Sequence, residues 1–143
     1  MKGFLPGPGT LIAAFSGWTM AAPLRILTVD DEPAVAFSLR QVFAGPRYQV
    51  LSVENGYAAL ATLDESSERY DAIIVDQKMP KLTGLELVDA IRKRSIPGKI
   101  IVLSAQLTPE IREAYERMDV DAILLKPFDI DELRSAVATS PHD

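Results

Sequence analysis

The chain has 143 residues, the size of one ordinary domain, and 48% of them are hydrophobic. The sequence contains no cysteine, which excludes disulfides, thiolate metal sites and cysteine nucleophiles and is compatible with a reducing compartment such as the cytoplasm. The formal net charge of −5 without a basic stripe argues against direct nucleic-acid binding, and no apolar run approaches the ~18 residues of a membrane span.

Residues 1–22 differ in composition from the rest of the chain. They contain the only tryptophan, Trp18, and several glycines and prolines. Lys2, an apolar patch and small residues near position 22 loosely resemble a signal peptide, but glycine and proline interrupt the patch. We therefore expect a flexible N-terminal tail over residues 1–22, one domain over residues 23–139 and a C-terminal tail over residues 140–143.

From Leu24 onward, short apolar runs alternate with segments of helical periodicity. The runs predict five buried strands, at residues 25–29, 49–53, 72–75, 99–103 and 122–125. This alternation predicts an α/β fold with a doubly wound, five-stranded parallel sheet and helices on both faces.

The helical segments are marked by apolar residues three or four positions apart. In the second helix this stripe comprises Tyr57, Leu60 and Ala61 and extends to Leu63. The fourth helix should start at Thr108, a capping residue followed by proline. The fourth helix also has the clearest stripe, and we expect its Tyr115 in the core rather than at a partner surface.

Polar residues lie at the carboxyl ends of the predicted strands, where parallel sheets of this kind bind their ligands. They are Asp30 and Asp31, Asp76, Ser104, and Lys126. Each has an ordinary explanation of its own, as a helix cap, a turn residue or a solvated strand end. Those separate explanations do not account for acids, a hydroxyl and an ammonium at one edge of one sheet.

Phosphoryl-transfer chemistry accounts for the whole set. Close carboxylates repel one another unless a cation joins them, and Mg²⁺ typically takes one or two carboxylates, several waters and phosphate oxygens. An aspartate can attack phosphorus and form an acyl phosphate. The transferred group then needs its charge neutralised, by a metal on one side and a lysine on the other.

At this point the sequence resembles the receiver domain of bacterial two-component response regulators, in particular single-domain members like the chemotaxis regulator. The resemblance covers roughly residues 24–137, through motifs at Val29-Asp30-Asp31-Glu32, Val75-Asp76-Gln77-Lys78-Met79-Pro80 with Gly84, Leu103-Ser104-Ala105 and Lys126-Pro127-Phe128. It implies the flavodoxin-like strand order 2-1-3-4-5, which is known for a member of this family.

The resemblance also implies a role for each acidic residue. Asp76 corresponds to the phosphoacceptor. Asp31 corresponds to a direct Mg²⁺ ligand and Asp30 to a ligand through water, and the backbone carbonyl of Lys78 completes the protein ligands.

The remaining motif residues correspond to the phosphoryl-binding set and the switch. Ser104, Ala105 and Lys126 would contact the phosphoryl group, Ser104 would be the switch hydroxyl, and the Lys126–Pro127 peptide bond would be cis. The family usually has Tyr or Phe three residues before the lysine, where this chain has Ile123. This departure predicts a muted or differently routed switch.

A second departure is Met118-Asp119, where an Ala-Gly pair is common in the family. We expect it to affect only the end of the fourth helix. Lys78 and Gln106 lie two residues beyond the acceptor and the switch hydroxyl, and we expect them to tune the lifetime of the acyl phosphate.

The function so indicated is a signalling switch, not an enzyme with a separate catalytic domain. A sensor histidine kinase or histidine phosphotransfer protein would phosphorylate Asp76, the domain would slowly dephosphorylate itself, and it would contact an unknown downstream protein as a monomer or weak dimer. No output domain is expected after the last helix.

One alternative is a receiver-like binding module that no longer takes phosphate. Another is an aspartyl-phosphate phosphatase of the haloacid dehalogenase type, but Lys78 stands where that family needs a second acid.

Overall fold

A computed structural model describes residues 22–138 of the chain. In this part of the chain a five-stranded parallel sheet has the order β2-β1-β3-β4-β5, which confirms the predicted fold class and strand order. The elements in chain order are β1 Leu24–Val29, α1 Pro33–Val42, β2 Tyr48–Val53, α2 Gly56–Glu65, β3 Ala72–Asp76, α3 Gly84–Lys93, β4 Lys99–Ser104, α4 Pro109–Arg117, β5 Ala122–Leu125 and α5 Ile130–Ala138.

The boundaries of the chain's tails stay predictions. Apart from Ala22, the expected tails at residues 1–22 and 140–143 lie outside the described residues. Within residues 22–138, no helix has the length and apolar character needed to cross a membrane.

Two hydrophobic cores lie on opposite faces of the sheet. Alternate side chains of β3 serve both, because successive residues of a strand point to opposite faces. Ile73 and Val75 pack with α2, α3 and α4, whereas Ile74 packs with α1 and α5. Every residue of β3 and β4 is buried, so the register of the central strands is strongly fixed and their carboxyl ends lie side by side.

Side chains cap the starts of α2, α3 and α4. Thr108 accepts a hydrogen bond from the backbone N–H of Ile111, with Pro109 at the first helical position, as predicted. Asn55 caps α2, and Thr83 forms a reciprocal capping box with Glu86 at the start of α3. The orientation of α3 is thereby fixed directly after the loop that follows Asp76.

Helix α2 presents a face to the core that matches its predicted apolar stripe only in part. Leu63 is buried and Leu60 packs against the core, as predicted, but Tyr57 is 59% exposed and Ala61 is exposed, and Ala59 is buried instead. The segment is apolar on most of its circumference, so the spacing alone allows two overlapping stripes. Packing selects the stripe with the smaller residues, which lets α2 approach the sheet.

Helix α4 ends without the glycine that commonly terminates a helix. Asp119 adopts a left-handed backbone conformation, with φ 56°, that aspartate tolerates better than most residues. The guanidinium of Arg92, on α3, donates to the carbonyls of Met118 at 2.8 Å and Asp119 at 2.7 Å. The carboxyl end of α4 is therefore tied to α3.

Candidate phosphoacceptor site

Four of the predicted site residues converge at the carboxyl edge of the sheet. Asp76 and Ser104 are the last residues of β3 and β4, one position further along each strand than predicted, and both are buried. Asp30 directly follows β1, and Lys126 directly follows β5. The peptide bond between Lys126 and Pro127 is cis.

The ammonium group of Lys126 is the centre of this cluster. Its Nζ lies 3.0 Å from Asp76 Oδ1, 3.6 Å from Asp30 Oδ2 and 3.9 Å from Glu32 Oε1. One cation therefore faces three carboxylates, so the site carries an excess of negative charge.

Burial and mutual repulsion perturb the acids of this cluster. Burial raises the pKa of Asp30 to about 6, with the charge of Asp76 adding to the increase and the N–H of Glu32 opposing it. Burial also raises the pKa of Asp76, against the hydrogen bond from Lys126. For Lys126, burial lowers the pKa, but the hydrogen bond to Asp76 and the surrounding carboxylates outweigh it, and the net shift is upward.

The arrangement fits a hard divalent cation. Oxygen atoms of Asp30, Glu32 and Asp76 lie within 4.8 Å of one another. Oδ2 of Asp30 is buried and accepts no hydrogen bond, and the ammonium 3.6 Å away is shared with two other carboxylates, so a further cation would offset the cost of its burial. An all-oxygen donor set of this kind is what Mg²⁺ prefers, and receiver domains generally bind Mg²⁺.

Asp31 does not belong to this cluster. It is exposed and lines a groove of about 280 Å³ together with Asp30 and Glu54. Its charge still contributes to the raised pKa of Asp76, so it lies within electrostatic reach of the site. Glu32 is the third member instead, a role that the sequence pattern did not indicate. The expected direct ligation by Asp31 stays a prediction.

The expected switch hydroxyl is hydrogen-bonded to the loop that follows β4. Oγ of Ser104 donates a 2.6 Å hydrogen bond to the backbone carbonyl of Gln106. Ala105 and Lys78 are exposed, and the backbone N–H of Lys78 lies 3.4 Å from Asp76 Oδ1, at the long limit of a hydrogen bond. Ile123 is half-buried and packs on the core beside α4. The roles expected for these residues stay predictions.

A contact beside the site, between Gln77 and Tyr115, was not apparent from the sequence. Tyr115 is fully buried, which confirms its expected place in the core, but its hydroxyl donates to the side-chain carbonyl of Gln77, the residue after Asp76. Burial, and then the charge of Asp76, raise the pKa of Tyr115 well above its usual range. Gly84 leaves room for this pair, because a Cβ there would lie 2.5 Å from the tyrosine oxygen.

Comparison with known proteins identifies the class to which this fold and site belong. Residues 26–138 match the model of the response regulator receiver domain, and the chain therefore belongs to that family. It is a receiver domain of the kind found in two-component response regulators, which interact with histidine kinases or phosphotransfer proteins.

Individual relatives agree with this assignment. The chain is 38% identical over 126 residues to response regulator MprA of Mycolicibacterium vanbaalenii, covering 85% of this chain and 54% of that protein. It is 30% identical over 113 residues to sporulation initiation phosphotransferase F of Bacillus subtilis, covering 79% of this chain and 90% of that protein. The chain thus spans about half the length of MprA and most of the second relative.

Solved structures give the same picture. The Vibrio cholerae chemotaxis protein CheY4 superposes with a TM-score of 0.74 at 29% identity, covering 81% of this chain and 97% of that chain. The receiver domain of the Francisella response regulator 1452 gives a TM-score of 0.72 at 31% identity, covering 80% and 93%.

Proposed function

We propose that Asp76 accepts a phosphoryl group from a phosphohistidine on a sensor histidine kinase or a histidine phosphotransfer protein. The observation that carries this proposal is a buried carboxylate at the end of the central strand, 3.0 Å from a lysine ammonium and beside two further carboxylates. In the proposed step an oxygen of Asp76 attacks phosphorus, the phosphorus–nitrogen bond breaks, and the leaving imidazole keeps the electron pair.

Each neighbouring residue has a role in this proposal. Asp30, Asp31, Asp76 and the backbone carbonyl of Lys78 would hold Mg²⁺, which when bound neutralises negative charge on the phosphoryl oxygens. The ammonium of Lys126 pairs with a further phosphoryl oxygen as a point charge.

The loop after β4 binds the remaining phosphoryl oxygen in this proposal. The hydroxyl of Ser104 donates to it after leaving the carbonyl of Gln106, and the backbone of Ala105 lies beside it. Lys78 and Gln106 then set how fast water hydrolyses the acyl phosphate.

The proposed output is a contact with another protein. Phosphorylation adds charge and hydrogen-bond acceptors at the sheet edge and so shifts the loops and helices around it. The acidic domain would meet its partners as a monomer or weak dimer in the cytoplasm, where ATP supplies histidine kinases.

The experiment is phosphoryl uptake measured by intact mass. With Mg²⁺ and acetyl phosphate, the protein should gain one phosphoryl group, and chelation of Mg²⁺ should prevent the gain. Asp76→Asn should gain none, because an amide is not a nucleophile toward phosphorus. Asp71→Asn is the matched control: Asp71 directly precedes β3, at the opposite end from the site, and should leave uptake intact.

Two outcomes would contradict the proposal. Uptake by Asp76→Asn would move the acceptor to another residue. No uptake by the folded wild-type protein in the presence of Mg²⁺ would favour the binding module that does not take phosphate.

A further inference from the structure

The residue after the proposed phosphoacceptor is attached to three different elements. The backbone N–H of Gln77 donates to the carbonyl of Leu103 on β4 at 2.9 Å, and its carbonyl accepts from the N–H of Gly84 on α3 at 3.0 Å. Its side-chain carbonyl accepts from the hydroxyl of Tyr115 on α4. A displacement at Asp76 therefore reaches α4 through one intervening residue.

The hydroxyl of Tyr115 depends on this acceptor. The ring is fully buried, and a buried hydroxyl without an acceptor is unfavourable, so the phenol follows the amide when the amide moves. The space for the pair is also specific. Gly84 lies against the tyrosine oxygen, the Cα of Gln77 and the carbonyl of Asp76, all within 2.9 Å of where a Cβ would stand.

Helix α4 is also held to α3 at its carboxyl end, within four residues of Tyr115. Arg92, on α3, binds the carbonyls of Met118 and Asp119 just beyond the end of α4. The strand β5 offers α4 no comparable polar contact at position 123, because isoleucine has no polar side-chain atom. Within residues 22–138, the polar contact from the acceptor segment to α4 is thus the one between Gln77 and Tyr115.

We propose that Gln77 and Tyr115 form the switch contact through which the phosphorylation state of Asp76 sets the position of helix α4. The inference rests on the proposed function and adds the route by which the signal leaves the site. A phosphoryl group on Asp76 brings charge and acceptor oxygens next to Gln77 and attracts the hydroxyl of Ser104. The resulting shift of the acceptor segment changes where the Gln77 amide lies, and Tyr115 and α4 move with it.

The test compares the response of α4 to phosphorylation in matched variants. Tyr115→Phe keeps the ring and removes the hydroxyl, and Gln77→Met keeps a side chain of similar length without the acceptor. Phosphoryl uptake is measured by intact mass, and the changes in backbone amide chemical shifts on phosphorylation are measured along α4 and along β3. Tyr70→Phe is the control, because Tyr70 is another buried tyrosine, beside the opposite end of β3.

We expect both variants to take up phosphoryl and to keep the shift changes in β3. Along α4 the changes should fall at least about twofold, since the contact that biases the helix is lost. The double variant should lose no more than either single variant, because both act on one contact. Tyr70→Phe should respond like the wild type.

The outcomes separate this inference from the proposed function. Phosphorylated Tyr115→Phe and Gln77→Met with a wild-type response in α4 would overturn the switch contact alone. An equal loss in Tyr70→Phe would also overturn it, since the loss of another tyrosine hydroxyl, remote from Gln77, would then suffice. Failure of the wild type to take up phosphoryl would overturn both. If Tyr115→Phe does not fold, the response of α4 in phosphorylated Gln77→Met alone tests the switch contact.

Discussion

Replacing Asp30 by asparagine is expected to stabilise the metal-free protein at pH 7 and to weaken Mg²⁺ binding. Oδ2 of Asp30 is buried without a hydrogen bond, and its cation, Lys126, lies closer to Asp76. Asparagine removes the buried charge, keeps the oxygen that accepts from Glu32, and offers an N–H to the neighbouring carboxylates. The gain in the free energy of unfolding should be on the order of 1–2 kcal/mol.

This gain should depend on pH in a defined direction. The pKa of Asp30 rises from 3.8 to about 6 on folding, so the folded state holds its proton more tightly than the unfolded state. The contribution of Asp30 to stability is therefore fully present below about pH 4 and is lost as the pH rises through about 6. The advantage of Asp30→Asn should appear over that interval. Denaturant unfolding in a chelator at several pH values measures it.

Asp31→Asn is the matched control for Asp30→Asn. Asp31 is exposed, so its replacement relieves only a solvent-screened repulsion with Asp76 and should stabilise the metal-free protein much less, although it should weaken Mg²⁺ binding if Asp31 is a ligand. Calorimetric titration with Mg²⁺ measures the binding of both variants. An unchanged stability difference between pH 4 and pH 7 for Asp30→Asn, or equal stabilisation by both variants, would contradict the argument from burial.

Gly84→Ala is expected to destabilise the protein by about 1–3 kcal/mol. The new Cβ would stand 2.8 Å from the Cα of Gln77 and 2.9 Å from the carbonyl oxygen of Asp76, and these backbone atoms cannot move without displacing the acceptor. It would also stand 2.5 Å from the hydroxyl of Tyr115. Chemical denaturation measures the loss of stability.

Gly56→Ala provides a closely matched comparison. Gly56 and Gly84 are both buried first residues of helices, α2 and α3, and neither has a positive φ. At Gly56 the three atoms nearest the new Cβ belong to the side chain of Leu82, which is half-buried, and the closest of them, Cδ2 at 2.5 Å, can rotate away. Gly56→Ala should therefore cost clearly less. Equal costs would mean that the backbone around Asp76 yields as easily as a leucine side chain.

The sheet could be predicted from the sequence because its central strands are buried on both faces. Largely apolar runs such as residues 72–75 and 99–103 then fit buried strands and no other element. The structure extends each of these strands by one residue, to Asp76 and Ser104. The buried face of helix α2 was harder to predict from the sequence. Its apolar residues occur on several sides, so the exposure of Tyr57 depends on how closely the helix approaches the sheet, which spacing does not encode.

The candidate site was predictable where topology alone brings residues together. The ends of β1, β3, β4 and β5 share an edge, so Asp30, Asp76, Ser104 and Lys126 had to be neighbours. Whether Asp31 or Glu32 joins this cluster depends on the backbone dihedral angles of a short loop, in which Asp30 accepts a hydrogen bond from the N–H of Glu32. The hydrophobic periodicity of the sequence does not predict those dihedral angles.

The contact between Gln77 and Tyr115 was not predictable for a related reason. The apolar stripe of α4 correctly placed the tyrosine ring inside, but the ring's depth decides which acceptor its hydroxyl meets. That depth is set by the packing of α3 against α4 and by the absence of a side chain at Gly84.

The most direct test is to locate the phosphoryl group by chemical trapping. Borohydride reduces an acyl phosphate at its carbonyl carbon and releases phosphate, so a phosphorylated aspartate becomes homoserine. Trypsin separates the candidates into residues 26–40, 70–78 and 100–112, which carry Asp30 and Asp31, Asp76, and Ser104 respectively. After phosphorylation with Mg²⁺ present, we predict homoserine at position 76 alone. Homoserine in the first peptide or at Asp71, or a borohydride-resistant phosphate on Ser104, would contradict the account.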